Sequence, residues 1–227
     1  MKQYRYELKF IIAKQMGFFL KHDLRNIMDL DPNSSSNQLS YFIRSLYFDD
    51  PFYTAYREKV DGVEYRTKYR IRMYNQDPQT LRLECKQKAE AMTAKEQILI
   101  DQNIALKLIN GDIYDIALDQ DNLLSRFLVD KRHNNLVPAV IVDYDRLAFT
   151  YPFSDVRITF DENVRSGVYN HNLFDVAGIG IPIIKDYQSI VEVKFNEYLP
   201  ESLVILLDTV PKFRLAISKF AFSCMVK

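Results

Sequence analysis

"KYRIRMY", residues 68–74, sets Lys68, Arg70 and Arg72 at every second position with Tyr69, Ile71 and Met73 between them. Successive side chains of a β-strand point to opposite faces, so the stretch predicts a strand with one cationic face and one apolar face. The alternation recurs. YRYELKF (4–10) puts Arg5, Glu7 and Lys9 on one side, RTKYRIRM (66–73) adds Arg66, and LRLECKQK (81–88) contributes Arg82, Glu84, Lys86 and Lys88. DYDRLAF (143–149) supplies Tyr144 and Arg146, VRITFD (156–161) supplies Arg157, Thr159 and Asp161, and IVEVKF (190–195) supplies Glu192 and Lys194. YFIRSLYFD (41–49) and EQILI (96–100) bring the predicted strands to eight, enough for a small antiparallel barrel.

Helical spacing lies between the strands. AKQMGFFLKHDLRNIMDLD (13–31) repeats Met16, Phe19, Leu20, Leu24, Ile27 and Met28 at intervals of three and four, which predicts an amphipathic helix after the first strand. DQNIALKLING (101–111) reads as a helix ending at Gly111. DNLLSRFLVDKR (121–132), PESLVILLD (200–208) and a closing helix within 212–227 carrying Ser218 and Lys219 complete an α+β fold. The segments 31–37 and 166–189 read as loops, the second with GIGIP (178–182) as a turn. No repeat or linker divides residues 1–227, which are expected to form a single domain.

Composition narrows the setting. Thirty Lys and Arg balance thirty Asp and Glu, so any electrostatic function must come from placement, not net charge. Cys85 and Cys224 are far apart and form no CxxC pair, which indicates neither a disulfide framework nor a zinc site. With no signal-peptide pattern and no membrane-length apolar run, the expectation is a soluble, cytoplasmic protein that reaches the inner face of a membrane only through a separate membrane protein partner.

On the polar faces of the six alternating segments, twelve basic residues stand against four acidic ones. Ordinary antiparallel strands also send charge to solvent, but solvated faces mix signs and include Thr and Ser, and like charges opposite each other are destabilising. The amphipathic helices need an apolar partner that the other strand faces could provide. Polar inside and apolar outside, wrapped by helices, is a barrel with a charged lumen, and rows of Arg and Lys in a lumen suit phosphoryl oxygens. Glu84 and Glu192 sit two residues from Lys86 and Lys194, on the same faces; each suits either a salt bridge or a hard divalent ion that bridges phosphates.

These segments resemble, in order, the triphosphate tunnel metalloenzymes, and most closely the polyphosphate polymerase domain of the vacuolar transporter chaperone complex. RYELKF, SLYFDD (45–50), KYRIRMY, LECKQK, YDRLAF, VRITFDENV, VEVKF, and VPKF and SKF around Lys212 and Lys219 carry the resemblance over most of the chain. It implies an eight-stranded antiparallel tunnel, a triphosphate or polyphosphate threaded along it, and Mn²⁺ or Mg²⁺ held by glutamates. Lys9, Arg70, Arg72, Lys86, Arg146, Arg157 and Lys219 correspond to phosphate ligands, with Arg70, Arg72, Lys86, Arg146 and Arg157 in the catalytic group. Glu192 corresponds to the metal ligand with Glu84 as helper. Arg5, Lys68, Lys88, Lys95 and Lys194 are further expected phosphate contacts. Hydrolytic members of the superfamily open with an ExExK pattern where this chain has Arg5, Glu7 and Lys9; a guanidinium there removes a metal ligand and adds a phosphate contact, as in the polymerase branch.

The expected activity is transfer of the γ-phosphoryl group of ATP to polyphosphate, which asks for alignment and cations and no nucleophilic side chain. The sequence holds no Walker A loop, GxSxG or HExxH, and His22, His133 and His171, expected in one helix and two loops, have no ligand spacing. Hydrolysis of tripolyphosphate or a nucleoside triphosphate, and non-catalytic sensing of polyphosphate or inositol phosphates, are the alternatives. Nucleic acid is not an expected partner, because Tyr69 and Met73 face away from the cations and offer no stacking platform beside them.

Overall fold

The computed structural model describes residues 4–34, 39–117, 122–167, 170–175, 180–210, 213–214 and 217–226. The chain runs β1 (Tyr4–Ala13), α1 (Lys14–Leu24), β2 (Asp29–Leu30), β3 (Tyr41–Asp49), α2 (Thr54–Val60), β4 (Arg66–Tyr74), β5 (Asp77–Ala89), β6 (Met92–Leu99), α3 (Gln102–Asn110), α4 (Leu123–His133), β7 (Val137–Thr150), β8 (Arg157–Gly167), β9 (Ile181–Pro182), β10 (Gln188–Phe195), α5 (Glu201–Asp208), β11 (Phe213–Arg214) and α6 (Lys219–Met225). Strands β7, β3, β4, β5, β6, β1, β10 and β8 pair side by side, every pair antiparallel, and β8 returns to β7 to close the barrel. Six of the eight barrel strands are those expected from alternation, and β3 and β6 cover the two further apolar stretches, 41–49 and all but the last residue of 96–100.

Register sorts the side chains as the pattern requires. Tyr69, Ile71 and Met73 of β4, with Leu81, Leu83 and Cys85 of β5, point outward and pack under Ala105 and Leu108 of α3 and Leu123, Phe127 and Leu128 of α4. A second outer cluster joins Phe10, Ile12, Phe149, Ile158, Phe160, Val191 and Val193 to Leu20 and Leu24 of α1 and Leu203 and Leu207 of α5. Helix ends follow local chemistry: Asp101 accepts from the Ile104 N–H, Asn122 from Ser125, and Gly111 closes α3 at φ +88°, where a side chain would be strained. The third cluster lies on the inward faces: Ile43, Val140, Val142 and Ile190, in phase with the cavity-lining Tyr41, Tyr144 and Glu192, pack with Ile217, just before α6, and Phe220 in its first turn.

Several expectations need correction. The helix expected over 13–31 stops at Leu24, because the chain turns there to bury Met28 and to pair β2 with β7. The expected tail helix is shorter: Phe213–Arg214 forms β11 against β1, and α6 starts at Lys219, where the Ser218 hydroxyl accepts from the Ala221 N–H. In the expected loop 166–189, Ile181–Pro182 pairs with β8; Gly178 and Ile179 of the GIGIP turn, like Lys212, lie outside the described residues. His133 closes α4 and is not in a loop. Helix α2 has no apolar periodicity to announce it. It is nucleated by Asp49, whose carboxylate accepts from the backbone N–H groups of Ala55 and Tyr56 at 2.9 and 3.0 Å. Among the described residues no helix is long and apolar enough to cross a membrane.

Phe127 is fully buried, with the rings of Phe48 and Tyr69 each 5.0 Å away. Phe127→Ala is expected to cost about 3–5 kcal/mol, read as a lower urea midpoint at unchanged slope.

Candidate functional site

The inward faces enclose a cavity of about 640 Å³. Among the described residues, fourteen basic side chains and two carboxylates line it. Of the expected site residues, Arg5, Lys9, Lys68, Arg70, Arg72, Lys86, Lys88, Lys95, Arg146, Arg157, Glu192, Lys194 and Lys219 all reach this cavity. Arg70, Arg146 and Arg157, from three different strands, thus face one bore. Arg82, counted on the cationic face, is not part of the lining; its guanidinium lies 5.5 Å from the Tyr74 ring centroid. Glu84 is not in the lining either. It is 1% exposed, and its oxygens are taken by Arg70 at 2.5 Å and Lys95 at 3.3 Å, so it serves as a counter-ion beneath the wall.

The arginines are held by partners that aim them. Arg146 makes a bidentate pair with the fully buried Asp161 at 2.6 and 2.7 Å, and Lys219 reaches the same carboxylate at 2.5 Å from the first turn of α6. Arg157 donates to Asp31 at 2.7 Å and to the Tyr41 hydroxyl at 3.0 Å. Arg70 also donates to the Tyr47 hydroxyl at 2.7 Å, whereas Arg72 donates to the hydroxyls of Ser45 at 3.1 Å and Tyr144 at 2.8 Å. Bidentate and hydroxyl-anchored guanidiniums lose little freedom when a phosphate arrives. Tyr47 and Tyr144 went unassigned in the sequence because a tyrosine on a polar strand face carries no charge signal; so did Asp31, which precedes β3 in a loop.

A lysine–glutamate group occupies the wall of β1 and β10. Lys9 lies opposite Glu192, and Glu7 opposite Lys194, in the strand register. The Lys9 ammonium stands 3.4 Å from Glu192 and 3.7 Å from Glu7, Lys194 is 3.4 Å from Glu192, and Lys86 is 2.7 Å from Glu7. Burial would raise the Glu192 carboxyl, but Lys194, Lys9 and Lys86 hold it well below the usual carboxylate range. Burial would lower the Lys9 ammonium, yet Glu192 and Glu7 raise it above its ordinary value. Elsewhere burial wins. It pushes Lys194 down to about 7 against the pull of Glu192, Lys68 down to about 7 with help from Arg66 and Lys59, and Lys95 down to about 8 against Glu84.

Glu7 and Glu192 are therefore, among the described residues, the carboxylates that face the bore. Among the described residues no group of three or more His, Cys, Asp or Glu side chains is arranged to hold a metal. Two carboxylates among lysines and arginines do fit an ion of the Mg²⁺ class, which typically takes one or two protein carboxylates and completes its shell with substrate oxygens and water. Glu7, present in the Arg5–Glu7–Lys9 motif but not assigned in the sequence, lines the bore where Glu84 does not.

The sequence profile of the VTC domain family matches residues 4–226. Among curated proteins no sequence matches significantly. Among solved structures, a Bacillus halodurans protein provisionally assigned as an adenylate cyclase aligns at 12% identity and a TM-score of 0.51, over 92% of this chain and 88% of its own. The PH1819 protein of Pyrococcus horikoshii aligns at 12% identity and a TM-score of 0.49, over 98% of this chain and 100% of its own. The first likeness supports the tunnel-type fold at a level that speaks to architecture alone.

An anion in the bore favours charged ammonium groups, so binding raises the pKa of Lys68, Lys194 and Lys95 and draws protons from solution wherever the free protein has begun to lose them. Tripolyphosphate binding is expected to take up protons at pH 7.5 and to weaken as pH rises from about 6.5 to 9, beyond the ligand's own ionisation. Calorimetry in buffers of different ionisation enthalpy reads this; proton release would contradict it. Asp161→Asn leaves Arg146 and Lys219 without their shared counter-ion and is expected to cost the ligand-free protein about 3 kcal/mol or more, with much of the lost melting temperature restored by tripolyphosphate.

Proposed function

The chain belongs to the VTC domain family, and from that membership together with the lining of the bore we propose that it is a metal-dependent polyphosphate polymerase that uses ATP. The observation that carries the proposal is the charge of the lining, fourteen cations against two carboxylates on walls drawn from many strands. A lone phosphate would leave most of those cations unneutralised, whereas a polyanion threaded along the bore meets them in series.

In the proposed reaction a terminal phosphate oxygen of the chain attacks the γ-phosphorus of ATP. The bond from that phosphorus to the β–γ bridging oxygen breaks, its electron pair leaves with ADP, and the chain gains one P–O–P link. Arg70, Arg72, Arg146 and Arg157 surround the equatorial oxygens on which charge is spread, and their fixed partners mean little reorganisation at the moment of transfer. Lys9, Lys86, Lys194 and Lys219 hold the flanking phosphates as mobile point charges. A bound Mg²⁺ or Mn²⁺, held by Glu192 and Glu7, would supply a Lewis acid on phosphoryl oxygens. Arg5, standing where hydrolytic members of the superfamily carry a carboxylate, favours grip on a chain over activation of water.

Incubation of the purified protein with ATP and Mn²⁺ or Mg²⁺ is expected to yield ADP and a ladder of phosphate polymers on a stained gel. Orthophosphate without polymer would overturn the polymerase in favour of a hydrolase, and neither product with tight polyphosphate binding would favour a sensor. Arg72 is the informative substitution because the buried Glu84, which it helps to hold charged, keeps Arg70 and Lys95 as direct partners: Arg72→Ala is expected to lower turnover by about 100-fold or more with the folded far-UV and near-UV circular dichroism retained. Wild-type turnover in that variant would contradict the assignment.

A further inference from the structure

Thr159 alternates along β8 with Ile158 and Phe160, which pack in the outer core, so its side chain turns inward between Arg157 and Asp161. The residue has no exposure to solvent, and among the described residues its hydroxyl has no hydrogen-bond partner. A buried polar group left unpaired is destabilising, so one kept beside a reaction site points to a guest that completes it.

The charged neighbours on its own strand are committed elsewhere. Asp161 gives both oxygens to Arg146 and Lys219, and Arg157 donates to Asp31 and to the Tyr41 hydroxyl. Across the sheet Thr159 has Ala148 of β7 on one side and Glu192 of β10 on the other. The methyl group of Ala148 takes little space and offers no polar atom.

Glu192 lines the bore, and its cations stand off from it: Lys9 and Lys194 at 3.4 Å and Arg146 at 3.9 Å. Charge-assisted N–H···O bonds are about 2.7–2.9 Å long, the distance that Lys86 keeps from Glu7 at 2.7 Å. Glu192 is thus held charged by its surroundings while its lone pairs stay open to a closer ligand.

The Thr159 side chain does not border the cavity, so a phosphate in the bore cannot touch it. A water lodged between Thr159 and Glu192 can, and it needs a further polar partner on the bore side. An ion of the Mg²⁺ class supplies one, because it dehydrates reluctantly and keeps several waters when one or two carboxylates hold it.

We propose that Thr159 is a positioning residue for the divalent ion, its hydroxyl holding a water of the ion's shell beside Glu192. This rests on the metal dependence proposed for the same bore. The shell then draws on three adjacent strands, through Glu7 of β1, Glu192 of β10 and, by way of the water, Thr159 of β8.

Calorimetry with tripolyphosphate tests it in wild type, Thr159→Val and Thr159→Ser. Valine keeps the shape and removes the hydroxyl, whereas serine keeps the hydroxyl. The readout is the affinity at saturating Mn²⁺ divided by the affinity in EDTA, because a residue that only supports the wall moves both alike. Relative to wild type, Thr159→Val is expected to lose about tenfold or more in that ratio, the scale of a lost outer-shell partner, with its metal-free affinity unchanged. Thr159→Ser is expected to keep the wild-type ratio. An unchanged ratio in Thr159→Val, or the same loss with and without Mn²⁺, would overturn the inference and leave a metal-dependent enzyme standing. Wild-type protein that forms polymer equally well in EDTA would instead remove the metal from the proposed function, and this inference with it. Because valine deletes an unpaired hydroxyl, ligand-free Thr159→Val is expected to melt at or above the wild-type temperature; melting well below it would mark the hydroxyl as part of the wall and end the proposal.

Discussion

Asp161 carries the electrostatic strain of the molecule. Its carboxylate, with no exposure to solvent, lies between Arg146 and Lys219 and joins β7, β8 and the start of α6 through one pair of oxygens. Burial alone would raise its pKa, but Arg146 and Lys219 hold it below the ordinary range of an aspartate, so it stays charged where desolvation would otherwise neutralise it. A closed barrel with cations inside cannot vent its repulsion to bulk water. Asp161, Glu84 and Asp31 make it tolerable by standing in or behind the wall, beside arginines that still present themselves to the bore.

That arrangement depends on the outer surface. The apolar residues that alternate with the cations are covered by α3 and α4 on one side and by α1 and α5 on another, and this burial is what keeps the charged faces turned inward. A shift of register by one residue would expose Tyr69, Ile71 and Met73 to the bore and bury Arg70 and Arg72 under α4, two penalties at once. The fold and the site are therefore specified by the same alternation.

Carboxylates divide into two kinds by their surroundings. Glu84 and Asp161 are sealed against arginine, whereas Glu7 and Glu192 face the cavity beside lysines at 2.7–3.7 Å. Lysine suits the second setting because its ammonium can exchange one oxygen partner for another by rotation about its stem, and because burial brings Lys194 close to neutrality, where a ligand can restore the charge. Arginine suits the first, being charged at every relevant pH and fixed by its fork of donors.

The sequence by itself determined the strands and the sign of their faces, because a period of two is a local property: KYRIRMY can place Arg70 and Arg72 together only on one side of a strand. It also determined α3 and α4, whose N-caps and apolar spacing are local as well. Tertiary structure alone decided which carboxylate meets which cation. Glu84 and Glu192 look alike in LRLECKQK and IVEVKF, yet one is sealed by Arg70 and the other faces the bore, because their neighbours across the sheet and across the lumen come from distant segments. The same holds for Asp31 reaching Arg157 over 126 positions, for Lys59 arriving from a helix with no apolar period, and for the tail, where pairing with β1 overrides a helical spacing. Side-chain alternation follows from bond geometry, whereas ion pairing across a closed barrel depends on how the chain returns to itself.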